Sequence, residues 1–259
     1  MISSVHSLLH ATCITPTDGS EPVDATPDLD ALYAYPDTAA PWVRVNFVAS
    51  IDGARTLGGR SAGLGTPADH RVFSALRGLA DVVVVGAGTA RDENYGGVRI
   101  DDATRAARLA RGQAAVPPVC VVSASGRIDP AGRLTTDTEV APIVVVGSDA
   151  DEDAVAALRA AGADVVRTRS RSVPSADLLG LLAERGLVRV LCEGGPTLFG
   201  ALLADDAVDE LCLTTSPMLV AGGAGRIAES TADAVRAMRP EAVLADDDGT
   251  LLVRWVRAR

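Results

Sequence analysis

Glu193-Gly194-Gly195-Pro196 closes an apolar run at residues 188–192, and amphipathic sequence resumes at Thr197 and Leu198. The pattern predicts a strand, a tight turn and a helix start. Glycine reaches backbone geometry closed to other residues, and Pro196 suits a first helical position, where its missing N–H costs nothing. Such a turn can hold an anion such as a pyrophosphate on the helix N-terminus while the Glu193 carboxylate faces a second, polar ligand. Alone, a Gly-Gly-Pro turn is more often a plain connection, so its weight depends on what accompanies it.

Three further constellations accompany it. Asn46 to Gly53 reads as an apolar strand through Ala49 that ends in Ser50, Asp52 and Gly53, followed by a glycine-rich stretch at 58–65. Strand ends carry ligands in α/β proteins, and the stretch predicts a lid with Ser61 as a polar donor. Asp52 would serve equally well as a cap on local amides. Next, four valines at 82–85 feed Gly86-Ala87-Gly88-Thr89. This is half a dinucleotide fingerprint, with Arg91 in the third glycine position. Thr89, Asp92 and Glu93 also fit a helix cap with first-turn acids. Last, Arg77 and Arg99 lie near these turns as candidate phosphate clamps. Ser123 to Arg127 follows another strand and offers hydroxyls and a guanidinium to a nucleotide 2′-phosphate, which favours NADPH over NADH.

Composition limits the alternatives. All 24 basic residues are arginine, so lysine Schiff-base, pyridoxal-phosphate and P-loop chemistry are excluded. A net charge of −10 argues against a nucleic-acid surface. Aromatics make up only 3% of the 259 residues, so the core must be aliphatic, as in a parallel sheet covered on both faces. Cys13, Cys120, Cys192 and Cys212 are far apart, and three sit in apolar runs, which predicts reduced core thiols. No run reaches membrane-spanning length and no signal-like N-terminus is present; a cytoplasmic protein is the expectation.

To position these residues the chain needs alternating strands and helices. Strands are predicted at 43–49, 81–85, 119–122, 142–146, 165–167, 188–192 and 210–215. Helices are predicted at 67–79, 150–161 and 176–185. A mostly parallel sheet with crossover helices follows, and 210–215 with 250–257 reads as an antiparallel finish after a turn at 246–249. Residues 15–30 read as a loose arm and 29–35 as a short docking helix.

The ordered motifs A-S-I-D-G, L-R-x-x-A-D-V-V-V-V-G-A-G-T, V-V-S-A-S-G-R-I and C-E-G-G-P-T-L resemble the reductase domain of bacterial RibD proteins. The resemblance spans residues 41–259, with residues 1–40 as a partly irregular N-terminal extension. It implies an α/β, dihydrofolate-reductase-like three-layer sandwich and an NADPH-dependent reductase of riboflavin biosynthesis. Such an enzyme reduces 5-amino-6-(5-phosphoribosylamino)uracil, or its 2,5-diamino pyrimidinone analogue, to the ribityl form. It further implies cofactor contacts at Ala49, Gly86, Thr89, Glu93, Ser123 and along Gly194, Gly195, Pro196, Thr197 and Leu198. Substrate contacts are implied at Ser61, Arg77, Arg99 and Glu193, with Glu193 or Asp52 as the catalytic carboxylate and no metal.

This sequence departs from the family pattern in three places. Glu93 stands where Asp is commoner, R-D-E-N-Y replaces A-D-D-P, and Gly63 takes the place of a lid aromatic. No H-x-E or P-C-x-x-C occurs, so a reductase-like chain without the zinc deaminase domain is expected. The resemblance also implies a homodimer. A pterin reductase on the same fold and a non-catalytic nucleotide-binding protein are the alternatives.

Overall fold

The computed structural model describes residues 27–258 and the backbone of residues 12–13. Most of the predicted loose arm, and the Cys13 side chain, lie outside the described residues.

Among the described residues ten strands form one sheet: β1 (Thr12–Cys13), β2 (Trp42–Ser50), β3 (Val82–Gly86), β4 (Val119–Ser123), β5 (Ile143–Val146), β6 (Asp164–Arg167), β7 (Arg189–Cys192), β8 (Glu210–Ser216), β9 (Met238–Ala245) and β10 (Leu251–Arg257). Their spatial order is β1-β9-β10-β8-β2-β7-β3-β4-β5-β6. From β8 to β6 all neighbours are parallel. The β8–β10–β9 pairings are antiparallel, as expected for the finish. The hairpin between β9 and β10 turns at 246–249, where Gly249 takes a φ of 89° that other residues rarely adopt.

Alternation along the strands assigns each face. Val82 and Val84 of β3 point to one side, with Phe199 and Leu202 of helix α8 (Pro196–Ala204) and Leu178 and Leu182 of α7 (Ser175–Glu184). Val83 and Val85 point to the other, with Val72, Leu76 and Leu79 of α2 (Pro67–Leu79). Farther along that second face, Val144 and Val146 meet Val155 and Leu158 of α6 (Glu152–Ala160). A fully buried valine contributes about 1.5–3 kcal/mol, so the four-valine centre is a rigid platform for the loops at its edge. The short helix α1 (Leu29–Leu32) starts at Asp28, whose carboxylate accepts from the Ala31 amide. It is a single turn, not the longer helix predicted to Tyr35, and the docking contact is the buried ring of Tyr33.

Sequence periodicity did not predict β9. Only Leu244 of its eight residues is buried, it contains Pro240, and its pairing with β10 shifts register between Arg254 and Trp255. Proline in a strand is tolerated at such irregularities.

Toward the start of β2, Arg44 is fully buried beside its register partner Glu210. Its Nε donates to Oε1 at 2.6 Å and its Nη2 to Oε2 at 3.2 Å. Arg254 donates to the same two oxygens, and Trp42 Nε1 donates to Oε2. Burial pushes the Glu210 carboxyl up, and the two guanidiniums outweigh it, so the net shift is downward.

Candidate active site

At the opposite ends of the parallel strands a cavity of about 430 Å³ opens, where α/β sheets place ligands. Asn46, Phe47 and Val48 of β2 line it, as do Glu193 just beyond β7 and one face of α2.

Glu193 is central and almost fully buried. Arg77, in the last turn of α2, donates Nε to its Oε1 and Nη2 to its Oε2, both at 2.7 Å, and Tyr95 donates its hydroxyl to Oε2 at 2.7 Å. The Arg77 guanidinium also lies over the Phe73 ring, 4.2 Å from its centroid. Burial, then the charge of Glu193, hold the Tyr95 hydroxyl well above its ordinary pKa. The end of α2 is itself fixed. Arg108, on α4 (Asp102–Ala110), is fully buried and donates Nη1 to the carbonyls of Gly78 at 3.0 Å and Ala80 at 2.6 Å. Those are carbonyls that a helix C-terminus leaves without intrahelical donors.

The expected lid contains a short 3-10 turn, Ser61–Gly63. It is tied to α3 (Ala87–Asp92) and the residue that follows, because Glu93 Oε1 accepts from both the Ser61 amide and its hydroxyl at 2.9 Å. Asp92 and Glu93 therefore end this helix instead of occupying its first turn; Gly86 is its N-cap.

The glycines of the Glu193 turn permit close approach. A Cβ on Gly195 would fall 2.2 Å from Thr89 Oγ1, and one on Gly194 would fall 2.7 Å from the Phe47 ring. Gly86 donates its amide to the Gly194 carbonyl at 2.7 Å. Helix α8 begins at Gly195 with no side chain capping it, so its first amides beyond Pro196, those of Thr197 and Leu198, are directed out of the helix. This side-chain-free cradle, with partial positive charge, fits a pyrophosphate.

Around the rim, Arg99 and Arg133, the latter opening the short helix α5 (Arg133–Thr136), share the carboxylate of Asp137. Two guanidiniums against one carboxylate leave a net positive charge beside the cavity. Arg133 also reaches the Asn94 carbonyl, next to Tyr95.

The structure brings Ser61, Arg77, Thr89, Glu93, Arg99, Glu193, Gly195 and Pro196 to the cavity wall. Gly86, Gly194 and Leu198 stand just behind it, within contact distance of one another. Thr197 is exposed on the first turn of α8, and Ala49 lies near the end of β2. Ser123 ends β4, one strand farther out, and its hydroxyl accepts from the Gly126 amide. Asp52 is not brought to the cavity. Its carboxylate accepts from the amides of Val220 and Ala221, and hydrogen bonds from Ser50 and these amides hold its pKa down at about 2.

Sequence reasoning missed Asp69, Tyr95 and Arg133, all on the cavity wall. Asp69 sits in the first turn of α2, where its amide donates to the capping Thr66 hydroxyl; the acid had the ordinary look of a helix-start residue. Burial raises its pKa, with a hydrogen bond from Thr214 and the nearby His70 acting against that. Tyr95 and Arg133 carry no local pattern. Cys120, Cys192 and Cys212 are buried and unpaired, as expected. Among the described residues, no helix is long and apolar enough to cross a membrane.

The sequence profile of the RibD C-terminal domain matches residues 41–252. The chain is 28% identical to the 2,5-diamino-6-ribosylamino-4(3H)-pyrimidinone 5′-phosphate reductase of Archaeoglobus fulgidus, over 70% of this chain and 83% of that protein. It is 30% identical to the protein of the same description from Methanothermobacter thermautotrophicus, over 76% and 89% of the two chains. The crystal structure of a pyrimidine reductase-like protein from Corynebacterium diphtheriae superposes with a TM-score of 0.80 at 26% identity, covering 89% of this chain and 98% of that one. With its α/β sheet, its antiparallel finish and a profile match over most of its length, the chain belongs to the RibD C-terminal domain family, the reductase family of riboflavin biosynthesis, and is an oxidoreductase.

Proposed function

We propose that the protein is an NADPH-dependent reductase of a ribosylamino-pyrimidine phosphate, converting the ribosyl group to ribityl. The observation that carries this reading is the juxtaposition of the bare cradle at Gly195 and α8 with a cavity rimmed by Arg99 and Arg133. One can seat a dinucleotide pyrophosphate and the other a sugar phosphate.

The cradle suits the pyrophosphate of NADPH, because Gly194 and Gly195 carry no side chain and the start of α8 has no side-chain cap. Gly194, Gly195 and the first turn of α8 would hold the cofactor, with Thr89 and Glu93 beside it. When bound, NADPH supplies a hydride to the C1′ carbon of the opened sugar. The chain's own contribution is positioning, which accounts for several powers of ten in reactions of this kind. Glu193, fixed by Arg77 and Tyr95, places a negative charge where a protonated imine at C1′ would develop positive charge. Arg99 and Arg133 hold the phosphate, and the Ser61 lid, tied to Glu93, shields the pair from water.

The arginine rim matches a phosphate dianion, which favours the phosphorylated pyrimidine over an unphosphorylated pterin. The test is oxidation of NADPH by purified protein offered the ribosylamino-pyrimidine phosphate, its dephosphorylated form and, separately, dihydrofolate. Turnover that depends on the phosphate supports the reading. Turnover of dihydrofolate alone, or binding without turnover, refutes it.

A further inference from the structure

The arginine rim and the Glu193 carboxylate are joined by one short stretch of chain, residues 93–97. Within it Asn94 takes a φ of 54°, in the left-handed region that asparagine enters more readily than most residues. Past this turn the Tyr95 hydroxyl reaches Glu193, while the Asn94 carbonyl accepts from Arg133 Nη1 at 3.3 Å. That carbonyl and the Tyr95 amide belong to a single peptide group. Arg133 holds its oxygen, and the Ala90 carbonyl of α3 accepts from its N–H at 2.8 Å. The peptide that carries Tyr95 is therefore oriented from the rim on one side and from α3 on the other.

Asp137 adds a second tie. Its carboxylate takes both rim guanidiniums, and its carbonyl accepts from the Gly97 amide at 2.9 Å. The backbones are in close contact there: a Cβ on Gly97 would fall 2.4 Å from Thr138 Oγ1, and one on Gly96 would fall 3.0 Å from the Asp137 carbonyl oxygen. Movement at Asp137 is thus passed to the chain that follows Tyr95. Glu193 in turn is held from two directions. Arg77 grips it from the end of α2, which Arg108 pins independently of the rim. The Tyr95 hydroxyl reaches it from the rim side.

We propose that Tyr95 is a positioning residue through which a phosphate on Arg99 and Arg133 sets the orientation of Glu193, so that the phosphate raises kcat and does not serve binding alone. The inference rests on the reading in the preceding subsection. A dianion competes with Asp137 for the two guanidiniums, and Arg133 carries that change to the peptide of Tyr95. Binding energy from an unreactive part of the substrate is in this way applied at the reacting carbon, where truncated substrates lose kcat as well as affinity. A misplacement of about 1 Å at such a centre can cost roughly a hundredfold in rate.

The test offers the dephosphorylated substrate with and without phosphite, a dianion that can fill the rim without a covalent link to the sugar. For wild type, loss of the phosphate is expected to lower kcat by about tenfold or more, and saturating phosphite to restore most of that loss. Tyr95→Phe keeps the ring and removes the hydroxyl. It is expected to reduce the maximal phosphite activation about tenfold while the half-saturating phosphite concentration stays the same. Arg133→Ala is expected to raise that concentration instead. Amide hydrogen exchange on the cofactor-free protein gives a readout independent of turnover: phosphite should slow exchange at 193–195 in wild type and leave it unaltered in Tyr95→Phe, whose exchange elsewhere reports its folding. A phosphate whose removal raises KM alone, phosphite without effect on kcat, or full phosphite activation in Tyr95→Phe overturns the inference and leaves the reductase reading intact. Failure of wild type to turn over the phosphorylated substrate overturns both.

Discussion

Arg77 and Glu193, 116 residues apart in sequence, meet fork to fork, with both nitrogen–oxygen distances at 2.7 Å. The pair joins the end of α2 to the turn after β7. Arg77 thus already spends two donors inside the protein, and its first effect on a substrate is through the orientation of Glu193.

Arg77→Lys should therefore behave as a disruptive change, because an ammonium cannot reproduce a planar two-donor fork. Loss of a charged hydrogen bond costs about 1.5–3 kcal/mol, equivalent to a roughly ten- to hundredfold fall in kcat/KM. Glu193→Gln should fall by a similar factor, and the double variant by less than the product of the two. Additive losses in a double-mutant cycle would show that the two residues act separately.

The lid depends on one carboxylate. Glu93→Gln keeps an acceptor for the Ser61 amide but removes the charge, whereas Ser61→Ala removes only the hydroxyl bond. Both should raise KM for the phosphorylated substrate, Glu93→Gln more, and both should increase amide hydrogen exchange at 58–65. Unaltered exchange in Glu93→Gln would mean the lid is held by something else.

For Asp52, the amide-capping geometry predicts that Asp52→Asn keeps kcat within about threefold, since general acid–base roles are worth a hundredfold or more. Proteolysis of the 217–221 segment should quicken. A hundredfold loss of kcat with the segment still protected would return Asp52 to the catalytic set.

Glu210 gives the fold its acid sensitivity. Its folded pKa lies below the ordinary value of 4.5, so the unfolded chain takes up the proton first as pH falls. Its contribution is complete above that ordinary value and is lost as pH drops from there through the depressed folded value. Glu210→Gln strands Arg44 without a counter-charge in a fully buried site, at a cost of about 3–5 kcal/mol. Urea unfolding of wild type and variant across mildly acidic pH checks this: the wild-type curve should bend downward, and the variant should lack the part due to Glu210.

Burial pushes the thiols of Cys120 and Cys192 up to about 12 and raises that of Cys212 as well. Thiolate is the reactive form. In a Cys13→Ser background, native protein at mildly alkaline pH should consume almost no Ellman's reagent, and denatured protein three equivalents.

The parallel core was legible because four consecutive valines and their counterparts have no other good use in so aliphatic a chain. Glu193, Gly195 and Thr89 were legible too, since a strand end followed by glycine leaves few readings. Asp69, Tyr95 and Arg133 were not, because each reaches the cavity through tertiary packing and none interrupts its local pattern. Strand β9 was lost for a related reason: it sits toward the antiparallel edge of the sheet, with a proline and a register shift where alternation should have been. Asp52 shows the opposite error, a conspicuous acid at a strand end whose partners are two backbone amides far along the chain.

Strand β2 is flanked by β7 and β8, which begin at Arg189 and Glu210. On a ribosome, β2 emerges long before either neighbour exists, with both of its hydrogen-bonding edges bare. The N-terminal half of the sheet cannot close as an independent unit, and a nascent or truncated chain ending before residue 189 presents an apolar strand open on both sides. Such contacts between distant parts of the chain make folding slow and expose it to aggregation on the way. The arrangement that puts Asn46, Phe47 and Glu193 around one cavity therefore ties production of the enzyme to completion of its last third and to whatever shelters β2 until then.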